Sequence, residues 1–255
     1  MIYRAIGNIK KLYNKSYIWH YAFLDYIDTD NHIQKYFENL RKKCPRKLRV
    51  LDIGCGPTQY NRLRLEELNY EYFGIDINGD YPIIKWNGFE IPFQNEFFDC
   101  VLISWTLQNI SNPKFLISEI SRTLKKDGCG LIITTILSPI ATEGNLHSLS
   151  SPLEKQRLFP EGLRLLLKNE FESIQISGLG GPGQIFSQYL SFIWWNTYKN
   201  PKLYIKFFSF ILFPLFILKS IVFNIIGLLI NKLDKTGKFF PSICVTFVKT
   251  KSSNI

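Results

Sequence analysis

The sequence predicts an α/β protein whose parallel sheet is covered by helices, and three observations support this prediction. Short apolar segments alternate with helical patterns between residues 44 and 181. The apolar run RVLDI stops at two glycines, Gly54 and Gly56, and the next apolar run, EYFGID, ends in Asp76. Because such alternation places a helix between successive strands, the strands are expected to lie parallel in one sheet.

Each predicted element has its own signal. Residues 1–43 are aromatic and charged with few helix breakers, which predicts amphipathic helices. RVLDIG and EYFGID predict two strands that end at turns, and FDCVLIS and GLIITTIL predict two more because they are rich in β-branched residues. Between this second pair, PKFLISEISRTLKKDG has apolar residues at helical spacing and ends in Asp-Gly. Near the C-terminus, ICVTFVKT predicts the final strand.

These elements divide the chain into three predicted parts. Residues 1–43 form an N-terminal helical cap, and residues 44–182 together with 241–250 form the α/β core. Residues 183–240 differ from both because they are very apolar and aromatic, with isolated lysines. They are predicted to form an apolar helical insert between the last two strands.

Composition limits the classes of function. The 255 residues include 31 basic and 21 acidic ones, a formal net charge of +10 that favours an anionic partner such as nucleic acid, an acidic membrane face or an acidic substrate. A hydrophobic share of 46% excludes a disordered chain. The five cysteines are scattered and odd in number, which predicts neither a disulfide framework nor a metal site. The expected compartment is therefore reducing, and the N-terminus lacks the long apolar core of a signal peptide.

The glycines after the first strand predict a nucleotide-type site. Gly54 and Gly56 permit backbone angles denied to other residues and let a ligand approach closely. In an open α/β sheet, ligands bind beyond the carboxyl ends of the strands. Asp76 ends the next strand about twenty residues later, the spacing at which a carboxylate binds the two hydroxyls of a ribose. A ribose-containing cofactor is therefore expected.

The residues around the glycines distinguish between cofactors. A dinucleotide fingerprint needs a third glycine, and Gln59 stands in that place. Asp52, just ahead of the glycines, would repel a pyrophosphate but suits a cofactor with cationic groups. S-adenosylmethionine has a ribose, a sulfonium and an ammonium but no phosphate, so it is favoured over NAD. The alternative is a purely structural glycine turn in another kind of α/β protein.

Several stretches in order resemble the class I S-adenosylmethionine-dependent methyltransferases, in particular the methyltransferase-11 type. They are VLDIGCG, YFGIDI, IPFQNEFFDCVLISWTLQNISNP and FLISEISRTLKKDGCGLIITT. The resemblance runs from about Leu48 to Gly181 and resumes at the final strand. It implies a Rossmann-like sheet of seven strands in which the last strand is antiparallel.

The resemblance also implies the cofactor-binding residues. Those at the methionine end are Asp52, Gly54, Cys55 and Gly56, while Asp76 would bind the ribose. The adenine would contact Ile77, Asn87 and Phe89, and Ser104 would lie near the methyl group. Asn87 stands where the family often has Asp, and an ordinary turn residue is the alternative reading of it.

The sequence indicates substrate-binding residues less specifically than cofactor-binding residues. Trp105 follows the fourth strand near the expected methyl group, although simple packing is an equal alternative. If the acceptor is a hydroxyl, His147 is the best-placed candidate for the catalytic base, and His20 is a second one. Arg157 is a candidate for binding an acidic group of the substrate. A solvated loop histidine and a surface charge are the corresponding alternatives for His147 and Arg157.

The stretch after the fifth strand resembles a subgroup of these enzymes that stands beside cell-surface glycan and lipopolysaccharide pathways. The leading expectation is therefore O-methylation of a glycan or lipid-linked precursor, with no nucleic acid as partner. Methylation of a lipid-soluble small molecule such as a quinone precursor is the second expectation. A cofactor-binding assembly protein without catalysis is the third.

The insert predicts attachment to a membrane. Residues near 203–231 are apolar, but the strands on both sides of the insert belong to one sheet, so a single crossing is excluded. Pro214 and Lys219 divide the segment into halves of about 18 Å each as helix, too short for two crossings. Interfacial attachment to the inner, cytoplasmic face is therefore expected. A buried subdomain or an oligomer interface is the alternative.

Overall fold

The structure is a computed structural model that describes residues 23–79, 82–137, 154–198, 218–219 and 221–249, with the backbone alone for residues 23, 25, 26 and 191–198. The strands are β1 (Arg49–Ile53), β2 (Glu71–Asp76), β3 (Ile84–Lys85), β4 (Phe98–Ser104), β5 (Leu124–Thr135), β6 (Phe171–Leu179) and β7 (Ser242–Lys249). The helices are α1 (Phe23–Lys43), α2 (Arg62–Glu67), α3 (Pro113–Thr123), α4 (Pro160–Leu167), α5 (Pro182–Tyr198) and α6 (residues 218–219 and 221–233).

All seven strands lie in one sheet with the order β3-β2-β1-β4-β5-β7-β6. Strands β1 to β5 pair in parallel wherever they are neighbours. Strand β7 is antiparallel to β5, from Cys129 opposite Val248 to Thr135 opposite Ser242. The predicted Rossmann-like sheet of seven strands, with an antiparallel last strand, is therefore confirmed.

The centre of the sheet is formed by the strands with the most continuous apolar runs. Strands β1 and β4 pair directly, with Val50 opposite Cys100 and Ile53 opposite Ile103. The side chains of β4 are buried except at Ser104. Such runs are typical of parallel strands that are covered on both faces. In such a sheet, ligands are expected at the carboxyl ends of the strands.

Helix α3 ends earlier than the sequence predicts. The helical pattern was expected to continue to the Asp-Gly pair, but the helix ends at Thr123 and β5 begins at Leu124. Leu124 has an extended backbone, lies opposite Phe98 of β4 and is completely buried. Burial of this leucine between strands therefore overrides the local helical pattern.

The Glu-x-x-Arg pair of α3 has a structural function. Arg122 donates to both carboxylate oxygens of Glu119, at 2.7 and 2.8 Å. The same guanidinium donates to the carbonyls of Ile91 and Phe93, at 2.9 and 2.8 Å, and Glu119 accepts from the backbone N–H of Ile91. The pair thus fixes the segment that leads into β4.

The described residues divide into two compact units. One contains residues 30–136, 154–177 and 242–249, which include all strands of the sheet except the end of β6. The other contains residues 23–29, 137, 178–198, 218–219 and 221–241, which include α5 and α6. No helix in the described ranges is both long enough and apolar enough to cross a bilayer. Much of the segment predicted to attach to a membrane lies outside these ranges.

Candidate active site

The glycine loop that follows β1 faces open space. Gly54 and Gly56 have φ values of +71° and +68°, in the left-handed region that favours glycine. The N–H of Gly54 donates to the carbonyl of Ile75 in β2, at 2.8 Å, so the loop is held against the neighbouring strand. A Cβ atom built on Gly56 would meet nothing within 4 Å. The loop therefore forms a cradle with room for a ligand above Gly56.

Asp76 is joined directly to this cradle. Its Oδ2 accepts a hydrogen bond from the N–H of Gly56 at 2.9 Å, and its Oδ1 accepts from the N–H of Asn78 at 3.0 Å. Two backbone donors therefore fix the orientation of the carboxylate. Since a carboxylate has about four acceptor positions, others remain for the hydroxyls of a ribose. The structure thus brings together the two features that predicted a ribose-containing cofactor.

Asp52 is a buried carboxyl group beneath the loop. Its side chain belongs to a residue that is only 1% exposed, and Oδ2 accepts from the Tyr72 hydroxyl at 2.9 Å and from Nδ2 of Asn61 at 3.2 Å. Its Oδ1 has no hydrogen-bond partner among the described residues. Burial raises the pKa of Asp52 to about 6, although both hydrogen bonds lower it. An unsatisfied buried carboxyl oxygen favours a cationic ligand group nearby.

Sequence reasoning missed the partners of Asp52. Gly74 of β2 lies opposite Asp52, and a Cβ built there would come within 2.9 Å of the Tyr72 hydroxyl oxygen. A glycine within the strand therefore makes room for Tyr72 to reach Asp52. Gly74, two positions after a strand tyrosine, was the available signal.

Asp52→Asn is expected to stabilise the cofactor-free protein. Because the folded-state pKa of about 6 exceeds the ordinary value of 3.8, the folded form binds the extra proton between these pH values. Stability is therefore lost as pH rises through this window, by roughly 1–3 kcal/mol at pH 7. Denaturant unfolding at pH 7 should show the gain in Asp52→Asn, and below pH 4 the gain should vanish.

Asp99 provides the matched control. It is also buried, but it forms ion pairs with Arg46 and Lys125, at 2.6 and 2.9 Å. Asp99→Asn should therefore reduce the free energy of unfolding at pH 7, the opposite sign to Asp52→Asn. A loss of stability in both variants would contradict the assignment of a destabilising charge to Asp52.

Cys55 lies in the glycine loop with a buried side chain. Burial raises the pKa of its thiol to about 12, so the thiol remains neutral. Its N–H donates to the carbonyl of Ile75 at 3.2 Å. The thiol is therefore not a nucleophile, and cofactor contact by Cys55 stays a prediction for its remaining backbone atoms.

The predicted adenine contacts lie close together. Ile77 and Phe89 are 38% and 53% exposed, so both offer apolar surface to a ligand. A Cβ built on Gly88 would lie 3.9 Å from Cγ2 of Ile77, so the 87–89 turn is next to Ile77. Oδ1 of Asn87 accepts from the N–H of Phe89 at 2.8 Å, which stabilises the turn and leaves one lone pair. Contact of these residues with an adenine stays a prediction.

The end of β4 is strained beside the glycine loop. Trp105 has a φ of +56°, which is unfavourable for a bulky residue and is typical of functional sites. Its N–H donates to the carbonyl of Ile133 and its carbonyl accepts from Nε2 of Gln108, both at 2.8 Å. Oε1 of Gln108 accepts in turn from the Thr134 hydroxyl at 3.1 Å. Gln108 thus bridges β4 and β5.

Thr106 is a further residue that sequence reasoning missed. Its hydroxyl donates to the carbonyls of Ser104 and Gly54, at 3.2 and 3.4 Å. A Cβ built on Gly54 would overlap the side-chain atoms of Thr106 and lie 2.8 Å from its Cβ. Thr106 therefore couples the end of β4 to the glycine loop, and the predicted site residue Ser104 contributes its carbonyl to this contact.

Arg157 is engaged within the protein. Its guanidinium pairs with Glu154 at 2.6 Å and donates to the carbonyl of Ile136, at the end of β5, at 3.0 Å. The N–H of Lys155 donates to the carbonyl of Gln108 at 2.9 Å, which ties the same segment to the end of β4. Substrate binding by Arg157 stays a prediction. The two candidate bases, His147 and His20, lie outside the described residues.

This arrangement fits S-adenosylmethionine. The open cradle at Gly56, the fixed carboxylate of Asp76 and the unsatisfied oxygen of Asp52 suit a ribose and cationic groups. Fold and site together fit a class I S-adenosylmethionine-dependent methyltransferase domain. Residues 51–132 match the family model Methyltransf_11, described as a methyltransferase domain. The chain therefore has the domain of an S-adenosylmethionine-dependent methyltransferase, and S-adenosylmethionine is its cofactor.

Individual relatives are more distant. The ubiquinone/menaquinone biosynthesis C-methyltransferase UbiE of Nitrosospira multiformis is 26% identical over 119 residues, which is 39% of this chain and 49% of UbiE. The match thus spans about half the length of that relative. A methyltransferase structure from Archaeoglobus fulgidus is 20% identical, with a TM-score of 0.49, over 84% of this chain and 93% of the other. An N-methyltransferase of Haemonchus contortus, solved with S-adenosylhomocysteine, is 18% identical with a TM-score of 0.47, over 83% and 51%.

Proposed function

We propose that this protein transfers a methyl group from S-adenosylmethionine to a lipid-linked or lipid-soluble acceptor at the cytoplasmic face of a membrane. The observation that carries the catalytic part is the hydrogen bond between Asp76 and Gly56 beside open space. This bond joins the carboxylate that would bind the ribose to the loop where the cofactor's methionine end would lie. The proposal for the acceptor has separate support.

The described residues act by binding and orienting. When bound, S-adenosylmethionine supplies an activated methyl group on a sulfonium. Asp76 holds the ribose end, while Asp52 supplies negative charge beneath the glycine loop. Ser104 and the strained Trp105 lie at the end of the adjacent strand and would border the acceptor. Since methyl transfer is an in-line displacement, such positioning supplies much of the rate.

Two acceptor classes have specific support. The resemblance of the stretch after β5 favours a glycan or lipid-linked cell-surface precursor, methylated at oxygen, with His147 as the proposed base. The relative named for ubiquinone and menaquinone biosynthesis favours a lipid-soluble quinone precursor, methylated at carbon. Either acceptor would be reached at a membrane. A cofactor-binding protein without catalysis remains the third candidate, and only activity distinguishes it.

Cofactor selectivity tests the first part of the proposal. Titration calorimetry should show that the purified chain binds S-adenosylhomocysteine with micromolar affinity or better and NAD negligibly. The physical reason is that Asp52 lies where a pyrophosphate would have to approach. Binding of NAD with no response to the adenosyl compound would overturn the assignment.

Mass spectrometry tests the acceptor. Lipid and glycan extracts from cells with and without this protein should differ by a methyl group in one class of molecule. Loss of methylation from a quinone precursor would support the C-methyltransferase reading, and loss from a glycan would support the O-methyltransferase reading. Unchanged extracts from cells whose protein binds the cofactor would favour the non-catalytic candidate.

A further inference from the structure

The buried face of α5 is polar, which reverses the usual arrangement. Helices of water-soluble proteins bury apolar residues and expose polar ones. Among residues 182–190, the part of α5 whose side chains the structure describes, the buried residues are Gly183, Gln184, Ser187 and Gln188, whereas Phe186 and Tyr189 are 40% and 42% exposed. This part of the helix thus directs small and polar side chains inward and aromatic ones outward.

Helix α6 shows the same reversal more strongly. Its buried residues are Asn224 and Gly227. Seven of its large apolar residues are 36–79% exposed, namely Leu218, Val222, Ile225, Ile226, Leu228, Leu229 and Leu233, while Ile221, Phe223 and Ile230 are half-buried. Five of the seven recur at spacings of three or four residues along the helix, so they form one continuous stripe. We call these seven residues the outer face of α6.

The two helices meet through a polar seam. The Ser187 hydroxyl hydrogen bonds with Oδ1 of Asn224, and the N–H of Gly183 donates to Oδ1 of Asn231 at 2.8 Å. The backbones come very close, because a Cβ built on Gly227 would lie 2.6 Å from the carbonyl oxygen of Gly183. Small residues at the contact and polar side chains that bond across it are the packing mode of helices in lipid.

The solvent explains this arrangement. In water, packing through a polar seam buries little apolar surface, and exposure of the outer face of α6 to water is energetically unfavourable. In hydrocarbon, the outer face costs nothing, while polar groups must find partners within the protein. A protein partner would also cover the outer face. It would not account for the polar seam, because helices that must fold in water before assembly bury apolar residues among themselves.

The residues at the end of α6 and just after it are suited to contact an anionic membrane surface. Lys232, Lys235 and Lys238 are exposed, and the apolar residues Leu233 and Phe239 between and beside them are 79% and 57% exposed. From residue 218 to residue 240 the sequence contains one acidic residue, Asp234, against four lysines. Exposed lysines interleaved with exposed apolar side chains are typical of segments at the boundary between headgroups and acyl chains.

We propose that the outer face of α6 inserts into the headgroup–acyl boundary of an anionic bilayer, with Lys232, Lys235 and Lys238 at the phosphate groups. This inference rests on the membrane location in the proposed function and identifies the surface that makes the contact. It does not depend on methyl transfer. Failure of catalysis and failure of membrane binding are therefore separable, because cofactor binding and vesicle binding are measured independently.

Vesicle flotation of the full-length chain tests the surface. The protein should float with vesicles of phosphatidylcholine and phosphatidylglycerol. The double variant Ile225→Glu/Leu229→Glu places two charges on the outer face, and it should lose at least about 10-fold in vesicle binding. Replacing Lys232, Lys235 and Lys238 together by Gln should weaken binding to anionic vesicles by about 10²-fold and leave binding to phosphatidylcholine vesicles unchanged.

Leu165→Glu is the matched control, because Leu165 of α4 is 54% exposed, the same as Leu229. This variant should float like the wild type, and all variants should bind S-adenosylhomocysteine equally. Equal flotation of the wild type and the double variant would overturn the proposal by assigning attachment to another segment. A wild-type chain that stays in solution when the vesicles float would also overturn it. If that soluble chain is a dimer and the double variant a monomer, the outer face contacts a second copy instead.

Discussion

Gly54→Ala is expected to destabilise the fold severely, whereas Gly56→Ala should leave the fold largely intact and strongly weaken cofactor binding. At Gly54 the added methyl group would overlap Thr106, including a 2.8 Å approach to its Cβ, which no rotation of the side chain relieves. Together with the cost of a left-handed backbone, the loss should be roughly 2–5 kcal/mol of unfolding free energy. Denaturant unfolding measures this loss.

Gly56→Ala separates the fold from the site. Its methyl group would enter open space, so only the left-handed backbone costs stability, about 1–2 kcal/mol. The same methyl group would fill the cradle where the cofactor is expected, so affinity for S-adenosylhomocysteine should fall by at least about 10²-fold, or roughly 2.7 kcal/mol. Calorimetry on the folded variant measures this change.

Two outcomes would contradict this pair of predictions. Unchanged affinity in Gly56→Ala would show that the cofactor does not approach the loop there. Wild-type stability in Gly54→Ala would show that Thr106 does not constrain the loop. A double-mutant cycle with Thr106→Gly provides the internal control, because removal of the overlapping side chain should recover part of the loss at Gly54.

Asp76→Ala is expected to weaken S-adenosylhomocysteine binding by roughly 1.5–3 kcal/mol, or about 10- to 150-fold. The substitution removes charge-assisted hydrogen bonds to the ribose hydroxyls and releases the N–H of Gly56, which the carboxylate holds at 2.9 Å. Asp76→Asn should show an intermediate loss, because an amide oxygen still accepts a hydrogen bond but carries no charge. Calorimetric titration measures both affinities.

Glu71→Ala is the control on the same strand. Glu71 begins β2, at the opposite end from Asp76, and its exposed ion pair with Arg49 is 3.3 Å long. Its loss should leave cofactor affinity unchanged and cost at most about 1 kcal/mol of stability. Equal losses of affinity in Asp76→Ala and Glu71→Ala would mean that the effect comes from the strand rather than from the site.

Local patterns in the sequence were sufficient for the sheet and for part of the site. The apolar run FDCVLIS identifies β4 from local sequence alone, because a strand that is buried on both faces is apolar along its whole length. The glycine loop and Asp76 were predicted by spacing, and the structure joins them by one hydrogen bond. Their proximity could be predicted because the carboxyl ends of neighbouring parallel strands meet at the same edge.

The contacts between elements could not be predicted in this way. Asn61 and Tyr72 hold Asp52, and Thr106 overlies Gly54. Gly74 is a weak signal for the Tyr72 contact, and no spacing along the chain indicates the other two. Each pair depends on which side chains face each other across strands and on the space that a glycine leaves. Helix α3 ended early for a related reason, since burial of Leu124 in the sheet outweighed its helical pattern.

The sequence by itself determined the α/β class, the glycine loop with its acidic partners and the apolar character of the insert, because each is carried by neighbouring residues or by a fixed spacing. Only the tertiary structure decided which way the helices of the insert face. Periodicity shows that α6 has an apolar side and a polar side, but not which of them is turned inward. That choice depends on the partner helix α5. Its Ser187 hydrogen bonds with Asn224, and its Gly183 lets the backbone of Gly227 come close.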